Sequence, residues 1–287
     1  MLGAPDPRRL VQGGQIDPRL SRQLRGYSKK DPPPARVKPI PVQILRLACQ
    51  LAEAVNSDES LAAADMTWLA FFFLLRPGEY TAPAEESHPF RLEDIHLWRN
   101  ERFLSYSTAT EADLLSATFV ALVFTTQKNG VKGETIGHGR SDDPVACPVR
   151  TVVRRLLYLR SLGVPSTTFL CAYQHRSQIK LLSSKTITDF LRQATALLGP
   201  SLGFAPSDIS AKSLRAAGAM ALLQEGVDKN VIQLIGRWKS DAMYRYLHIQ
   251  SPNLNNGFST LMLTGGNYSL LPPSNQAADP ATMGSTP

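Results

Sequence analysis

The run Trp68-Leu69-Ala70-Phe71-Phe72-Phe73-Leu74-Leu75 is the most apolar stretch of this 287-residue chain, and it stops abruptly at Arg76-Pro77-Gly78. It is far shorter than the ~18 residues a membrane-spanning helix needs, so it has to be buried inside a protein. Leu61, Trp68, Phe72 and Leu75 recur at helical spacing and predict a helix from about Glu59. Pro77-Gly78 is a strong break, which puts Arg76 at the C-terminal end of that buried helix, a place where a guanidinium would be held rigidly. With 43% hydrophobic residues, the chain can bury one substantial core and a small second unit besides.

Other segments fall around this helix. Residues 1 to 38 are rich in Arg, Pro, Gly and Ser and are expected to form a flexible, basic lead-in with little fold of its own. Residues 39 to 250 are expected to form the packed domain, and 251 to 287 a C-terminal segment with a disordered tail. Ile44, Leu45, Leu47, Ala48, Leu51 and Ala52 predict a helix from Val42. The period then changes. Asp94–Trp98 and Thr118–Thr126 read as strands, Asn129-Gly130 suits a tight hairpin turn, and Glu134–His138 is the expected returning strand, so that Lys128 projects from a hairpin tip. Cys147-Pro148 opens a basic helix, and further helices are expected over Ser184–Leu198, Leu214–Leu223 (ended by Gly226), Lys229–Ile235 and Asp241–Leu247. The fold class is therefore α+β, mostly α, with a small antiparallel sheet.

Composition narrows the partner and the compartment. Thirty-one Lys and Arg against 24 Asp and Glu leave a net charge of +7, which raises the odds of a polyanionic partner such as nucleic acid. The three cysteines, Cys49, Cys147 and Cys171, are odd in number and lack CxxC or zinc-ligand spacing, so they read as buried thiols in a reducing compartment. Met1–Leu10 has no apolar core of the signal-peptide kind. An intracellular protein, nuclear or nucleoid-associated, not secreted and without a membrane partner, is the expectation.

The polar residues then point to one chemistry. Lys212-Ser213-Leu214-Arg215 is followed twenty residues later by a run from Ile235 through Gly236-Arg237-Trp238-Lys239 to Tyr244-Arg245-Tyr246. Arg76 and Lys128 complete a set suited to a phosphodiester under attack by a phenol. The phosphorane formed in such an attack carries extra negative charge and must expel a sugar alkoxide. Arg can donate two parallel bonds to non-bridging oxygens and stays protonated; Lys can supply a point charge or a proton; and a positive field makes the phenol a better nucleophile. The scheme requires neither a metal nor a nucleotide cofactor. Tyr244 and Tyr246 lie about 200° apart on a helix, so one of them faces the cations, and register favours Tyr246.

These residues resemble the tyrosine recombinase family, the phage integrases, Xer-like resolvases and Crypton-type transposon recombinases, from about Pro39 to His248. The strings Gln127-Lys128-Asn129-Gly130 and Gly236-Arg237-Trp238-Lys239-Ser240-Asp241-Ala242 look most like the Crypton-type branch of mobile elements. The resemblance implies a tyrosine-recombinase-like catalytic domain in which Arg76, Lys128, Lys212, Arg215 and Arg237 are catalytic and Tyr246 is the nucleophile. Trp238, His248 and Glu79 are its candidate auxiliaries. It further implies double-stranded DNA as partner, a tetramer on paired sites, and cleavage and rejoining through a 3′-phosphotyrosyl intermediate in recombination or integration. The chain departs from the family by carrying Lys212 where most members have His, and Arg237 where His or Trp is usual. Lys212 is similar to the equivalent lysine of the topoisomerase IB group, so nick-and-reseal of one duplex is an alternative function. A catalytically impaired, transposon-derived DNA-binding protein is another.

Each residue also has a plainer reading. Arg76 with Glu79 can be an ion-paired helix end, Lys128 an ordinary hairpin residue, Arg237 part of a solvated basic face, and Tyr246 a core aromatic. Arg215 lies among small residues that allow close packing, and burial there would demand partners.

Overall fold

The helix that leads towards Arg76 starts at a reciprocal cap: the Ser57 and Ser60 hydroxyls each accept from the other's backbone N–H at 3.1 Å, which satisfies two of the donors a helix start leaves open. In the computed structural model, which describes residues 18–28, 37–85, 87–125 and 133–238, the chain divides into two units between Val37 and Lys38. The first contains one helix, α1 (Pro18–Ser28), in the segment expected to lack structure.

In the second unit the described helices are α2 (Val42–Val55), α3 (Asp58–Phe72), α4 (Pro77–Tyr80), α5 (Glu111–Leu115), α6 (Pro148–Ser161), α7 (Ser184–Leu198), α8 (Ser213–Gln224) and α9 (Lys229–Gly236). The strands are β1 (Ile95–Arg99), β2 (Arg102–Leu104), β3 (Phe119–Phe124), β4 (Glu134–Gly139), β5 (Ala172–His175) and β6 (Gln178–Leu181). The protein is mostly helical with a small antiparallel sheet of order β2-β1-β3-β4, beside a separate β5-β6 hairpin. Leu97 stands opposite both Leu104 and Val120, and Leu122 opposite Ile136. Alternation therefore sends Ile95, Leu97, Val120, Leu122 and Phe124 into the core.

Helix α3 is the centre of this core: α2, α6, α7 and α8 all pack on it. Ala62, Ala63, Met66, Trp68, Leu69 and Ala70 are buried all around it, as a helix enclosed on every side must be. Arg154 of α6 donates from Nε to buried Asp65 at 2.7 Å; burial pushes the Asp65 carboxyl up from its ordinary value, and Arg154 opposes that. The approach of α8 is closer still. A Cβ on Gly218 would run into the carbonyl oxygen of Phe71, so the run Ala216-Ala217-Gly218-Ala219 lets the two backbones meet. Gly226, at φ 76, ends α8 as expected.

One boundary is corrected. Arg76 does not close α3, which stops at Phe72. Leu74 turns into the left-handed region at φ 49, and Arg76 is extended (φ −77, ψ 151) as the residue before α4, whose first residue is Pro77. The proline ring excludes helical backbone at the residue before it, while its own fixed φ suits the first position of a helix.

Among the described residues no helix is long and apolar enough to cross a membrane. All three cysteines are free and buried.

Candidate functional site

The turn Leu74–Glu79 gathers three arginines. Arg76 donates to Glu79 Oε1 at 2.9 Å, and its backbone N–H donates to Oε2 of the same carboxylate at 2.7 Å. From 158 residues further along the chain, Arg237 donates through Nη2 to Glu79 Oε2 at 2.9 Å. Glu79 thus bridges two guanidiniums, one from each side. Arg215 reaches the same turn from α8 and donates to the Leu74 carbonyl at 2.9 Å. That carbonyl also accepts from Arg237 at 3.3 Å, and its exposure to both follows from the left-handed backbone of Leu74.

Helix α9 delivers Arg237. It ends with Arg237 at φ 57, a left-handed position that normally favours glycine and costs other residues roughly 1–2 kcal/mol. The side chain recovers that cost in contacts. Arg237 Nη1 donates to the carbonyls of Phe73 and Ile235 at 3.1 and 3.2 Å, and its guanidinium carbon lies 3.8 Å from the Phe124 ring centroid. Burial pulls its pKa down to about 10; the nearby charges of Glu79 and Glu134 oppose this and that of Arg76 adds to it. It remains a cation at neutral pH.

Trp238 follows immediately and turns back on α9. Its ring occupies the space where a Cβ of Gly236 would stand, and it offers its face to Arg215, whose guanidinium carbon is 4.2 Å from the ring centroid. Arg215 also donates to the Gly236 carbonyl. The two guanidiniums are therefore each covered by an aromatic ring, Phe124 under Arg237 and Trp238 on Arg215.

A last link fixes the start of α8. The Tyr80 hydroxyl, at the end of α4, donates to the Ala211 carbonyl at 2.8 Å, and burial drives its pKa up. This bond ties the Arg76 turn to the residue before Lys212. Lys212 itself is exposed, one helical turn before buried Arg215.

Of the residues expected at one site, Arg76, Glu79, Arg215, Arg237 and Trp238 come together, and Lys212 stands at the adjoining helix start. Their exposures differ. The Arg76 side chain is 29% exposed, whereas that of Arg237 is 0% exposed. The guanidinium expected to face a phosphate is thus enclosed by carbonyls, a carboxylate and a ring. Lys128, Tyr246 and His248 lie outside the described residues.

Four participants went unforeseen: Leu74 as a double acceptor, Phe124, Tyr80 and Glu134. Phe124 fell within the expected strand Thr118–Thr126, which gave no hint that its ring would meet the Arg237 guanidinium. Among the described residues no cluster of His, Cys, Asp and Glu could hold a metal ion.

No protein-family model matches this chain, and no curated protein matches its sequence. Among solved structures it is similar to XerH site-specific recombinase bound to difH substrate in a pre-cleavage complex, at 12% identity and a TM-score of 0.48. The overlap covers 80% of this chain and 56% of that one.

Proposed function

We propose that the chain is the catalytic domain of a tyrosine recombinase, which cleaves and rejoins DNA through a 3′-phosphotyrosyl intermediate. The observation that carries this reading is the meeting of Arg76, Arg215 and Arg237 at one turn, although 141 and 158 residues separate the bonded partners in sequence. A purely structural ion pair needs one cation for one carboxylate. Three guanidiniums meet at a turn whose one carboxylate, Glu79, pairs with two of them, and the excess of positive charge suits a site for a phosphodiester.

In this proposal the phenolic oxygen of Tyr246 attacks phosphorus and the bond from phosphorus to the 5′ oxygen breaks. The phenol gives up its proton to solvent and the leaving oxygen takes one from Lys128; the 5′-hydroxyl so formed then attacks the phosphotyrosine of the partner strand, forming the new phosphodiester and releasing that tyrosine's oxygen, which is reprotonated. Arg76, the most accessible guanidinium, contacts the phosphate. Arg215 and Lys212 supply field and charge from the start of α8. Arg237, enclosed as it is, acts through Glu79 by holding Arg76 in place. Double-stranded DNA is the partner, bound as paired sites by a tetramer.

The test is incubation with a random-sequence pool of nicked duplexes, followed by a denaturing gel. A protein–DNA adduct is expected from the wild type and from Tyr244→Phe, and none from Tyr246→Phe. An adduct that survives Tyr246→Phe would overturn the nucleophile, and salt-sensitive DNA binding with no adduct would replace the enzyme by a DNA-binding protein.

A further inference from the structure

We infer that the outer face of the four-stranded sheet is a stacking platform for single-stranded DNA. Residues directly opposite each other in an antiparallel pair project from the same face and touch. Trp98 of β1 stands opposite Phe103 of β2 on one side and Phe119 of β3 on the other, so three rings form a row across the sheet. Neighbouring centroids in that row lie 5.7 and 5.8 Å apart. His96, two residues back along β1, touches Trp98 and Phe103 at 5.8 and 5.5 Å.

The row faces away from the core. Leu97, Leu104 and Val120 alternate with these rings and are buried, whereas Phe103 is 50% and Phe119 39% exposed. A Cβ on Gly137 of β4 would stand 2.3 Å from Cζ of Phe119, so that ring lies down across the glycine and keeps its other side in solvent. Cross-strand pairing explains why the rings touch one another, but not why they remain so open. Inclined at 72° and 64°, the rings of the row meet edge to face, which leaves ring faces for a further planar group. Nucleobases are such groups, and every base has a π-face, so a strand can stack on successive rings whatever its sequence.

Charge selects among the occupants of an aromatic face. Beyond the row, at the end of the sheet, Arg102 stands opposite Arg99, and Arg140 follows Gly139, the partner of Phe119. All three arginines are exposed. Arg140 is fixed at this rim by donating to the Ala117 carbonyl. Two carboxylates stand beside the three guanidiniums. Glu101 lies in the turn between Arg99 and Arg102, and Asp113 is 4.0 Å from Arg102 but is engaged at the start of α5, where it accepts from the Thr110 hydroxyl at 2.8 Å. An apolar protein surface would cover the rings and bring no anion to this rim. A nucleic-acid strand brings one phosphate with each base, and only unpaired bases can splay their faces onto the rings. Stacking makes no use of a 2′-hydroxyl, the group by which a site selects RNA, and DNA is therefore the occupant.

This inference goes beyond the strand-transfer reading and stands without it. Of the three tryptophans, Trp68 and Trp238 are buried, so quenching of tryptophan emission as the full chain is titrated with oligo-dT reports on Trp98. Saturable quenching is expected. Phe103→Leu, which keeps apolar bulk at an exposed position, should weaken binding about 10-fold, and Phe103→Tyr should restore it. An abasic oligomer of equal length should bind more weakly than oligo-dT and be indifferent to Phe103→Leu. Arg99→Gln/Arg102→Gln should lower the slope of log affinity against log salt by about 1.4, at about 0.7 for each phosphate contact of a single strand. Equal affinity for abasic oligomer and oligo-dT overturns the inference, as does undiminished binding by Phe103→Leu or tighter binding of oligo-rU than of oligo-dT. Self-association of the wild type that Phe103→Leu abolishes gives the face to a second copy and also overturns it. At saturating nicked duplex Phe103→Leu should form the wild-type yield of adduct, and a lower yield would assign the ring to the strand-transfer site instead. A wild type that binds oligo-dT in this way but forms no adduct sinks the strand-transfer reading and leaves the platform in place.

Discussion

Arg237 and Glu79 form an ion pair of 2.9 Å in which the arginine side chain is 0% exposed and the glutamate side chain 10%. Burying two charges gives little net stability, but removing one leaves the other stranded, at a cost of about 3–5 kcal/mol. Glu79→Ala should therefore destabilise the fold by about that amount in urea unfolding. Arg76→Ala, which removes a more exposed partner of the same carboxylate, should cost about 1 kcal/mol or less. Equal losses in the two variants would mean that Arg237 is screened by solvent.

Close packing at Gly218 gives a second prediction. The backbones of α8 and α3 touch there, so Gly218→Ala should lose about 1–3 kcal/mol despite the better helix propensity of alanine. Gly139→Ala is the control, since its nearest neighbour would be the Thr118 carbonyl at 4.0 Å. Thermal unfolding should show a clear drop for the first variant and at most a small change for the second. A neutral Gly218→Ala would show that the helices can part at little cost.

Much of this architecture was legible in the sequence, and the exceptions share a cause. Helix α7 has the expected limits, Ser184–Leu198, because Ser183 accepts a hydrogen bond from Thr186 N–H and gives it a clear start. The β3–β4 pairing follows from a run of β-branched and aromatic residues. Strand β2 spans three residues, two of them exposed, too few for an alternating pattern to emerge. The β5–β6 hairpin turns through Arg176 at φ 56, where a glycine or asparagine would have announced it. At the site, the resemblance marked Arg76, Arg215 and Arg237, but nothing in the sequence announced how completely Arg237 is enclosed. That depends on two left-handed residues, Leu74 and Arg237, neither of a type that advertises such a conformation. Local sequence signals cannot report a backbone held by contacts made 158 residues away.

His138 on β4 provides a pH dependence. It packs edge-on against Phe73, with ring centroids 4.7 Å apart, next to the Leu74 turn. Burial lowers its pKa below the ordinary 6.5, and a hydrogen bond with the Phe72 backbone opposes that shift. The folded protein therefore holds the imidazole neutral while the unfolded chain takes up a proton first. Stability is full above about pH 6.5 and falls as the pH drops from there towards the folded value. His138→Gln should remove up to about 1 kcal/mol of the loss seen on going from about pH 7 to about pH 5.5. Urea titrations at the two pH values check this, and an identical pH dependence in wild type and variant would place the effect elsewhere.

Trp238 offers the sharpest separation of positioning from packing. Its face covers the Arg215 guanidinium at 4.2 Å, and a desolvated contact of this kind contributes about 2 kcal/mol. If that contact aims Arg215, its loss should slow adduct formation about 10-fold or more. Trp238→Phe keeps an aromatic face and should restore most of the rate, whereas Trp238→Leu keeps the bulk without the π-face and should not. Gly236→Ala, which puts a methyl where the ring now lies, should resemble Trp238→Leu in rate although Trp238 itself is intact. Single-turnover adduct formation on nicked duplex at saturating DNA measures all three variants, with urea unfolding to match their stabilities. Should the Phe and Leu variants react at one rate, the ring serves only to fill space, and the bonds to the carbonyls of Leu74 and Gly236 aim Arg215 without it.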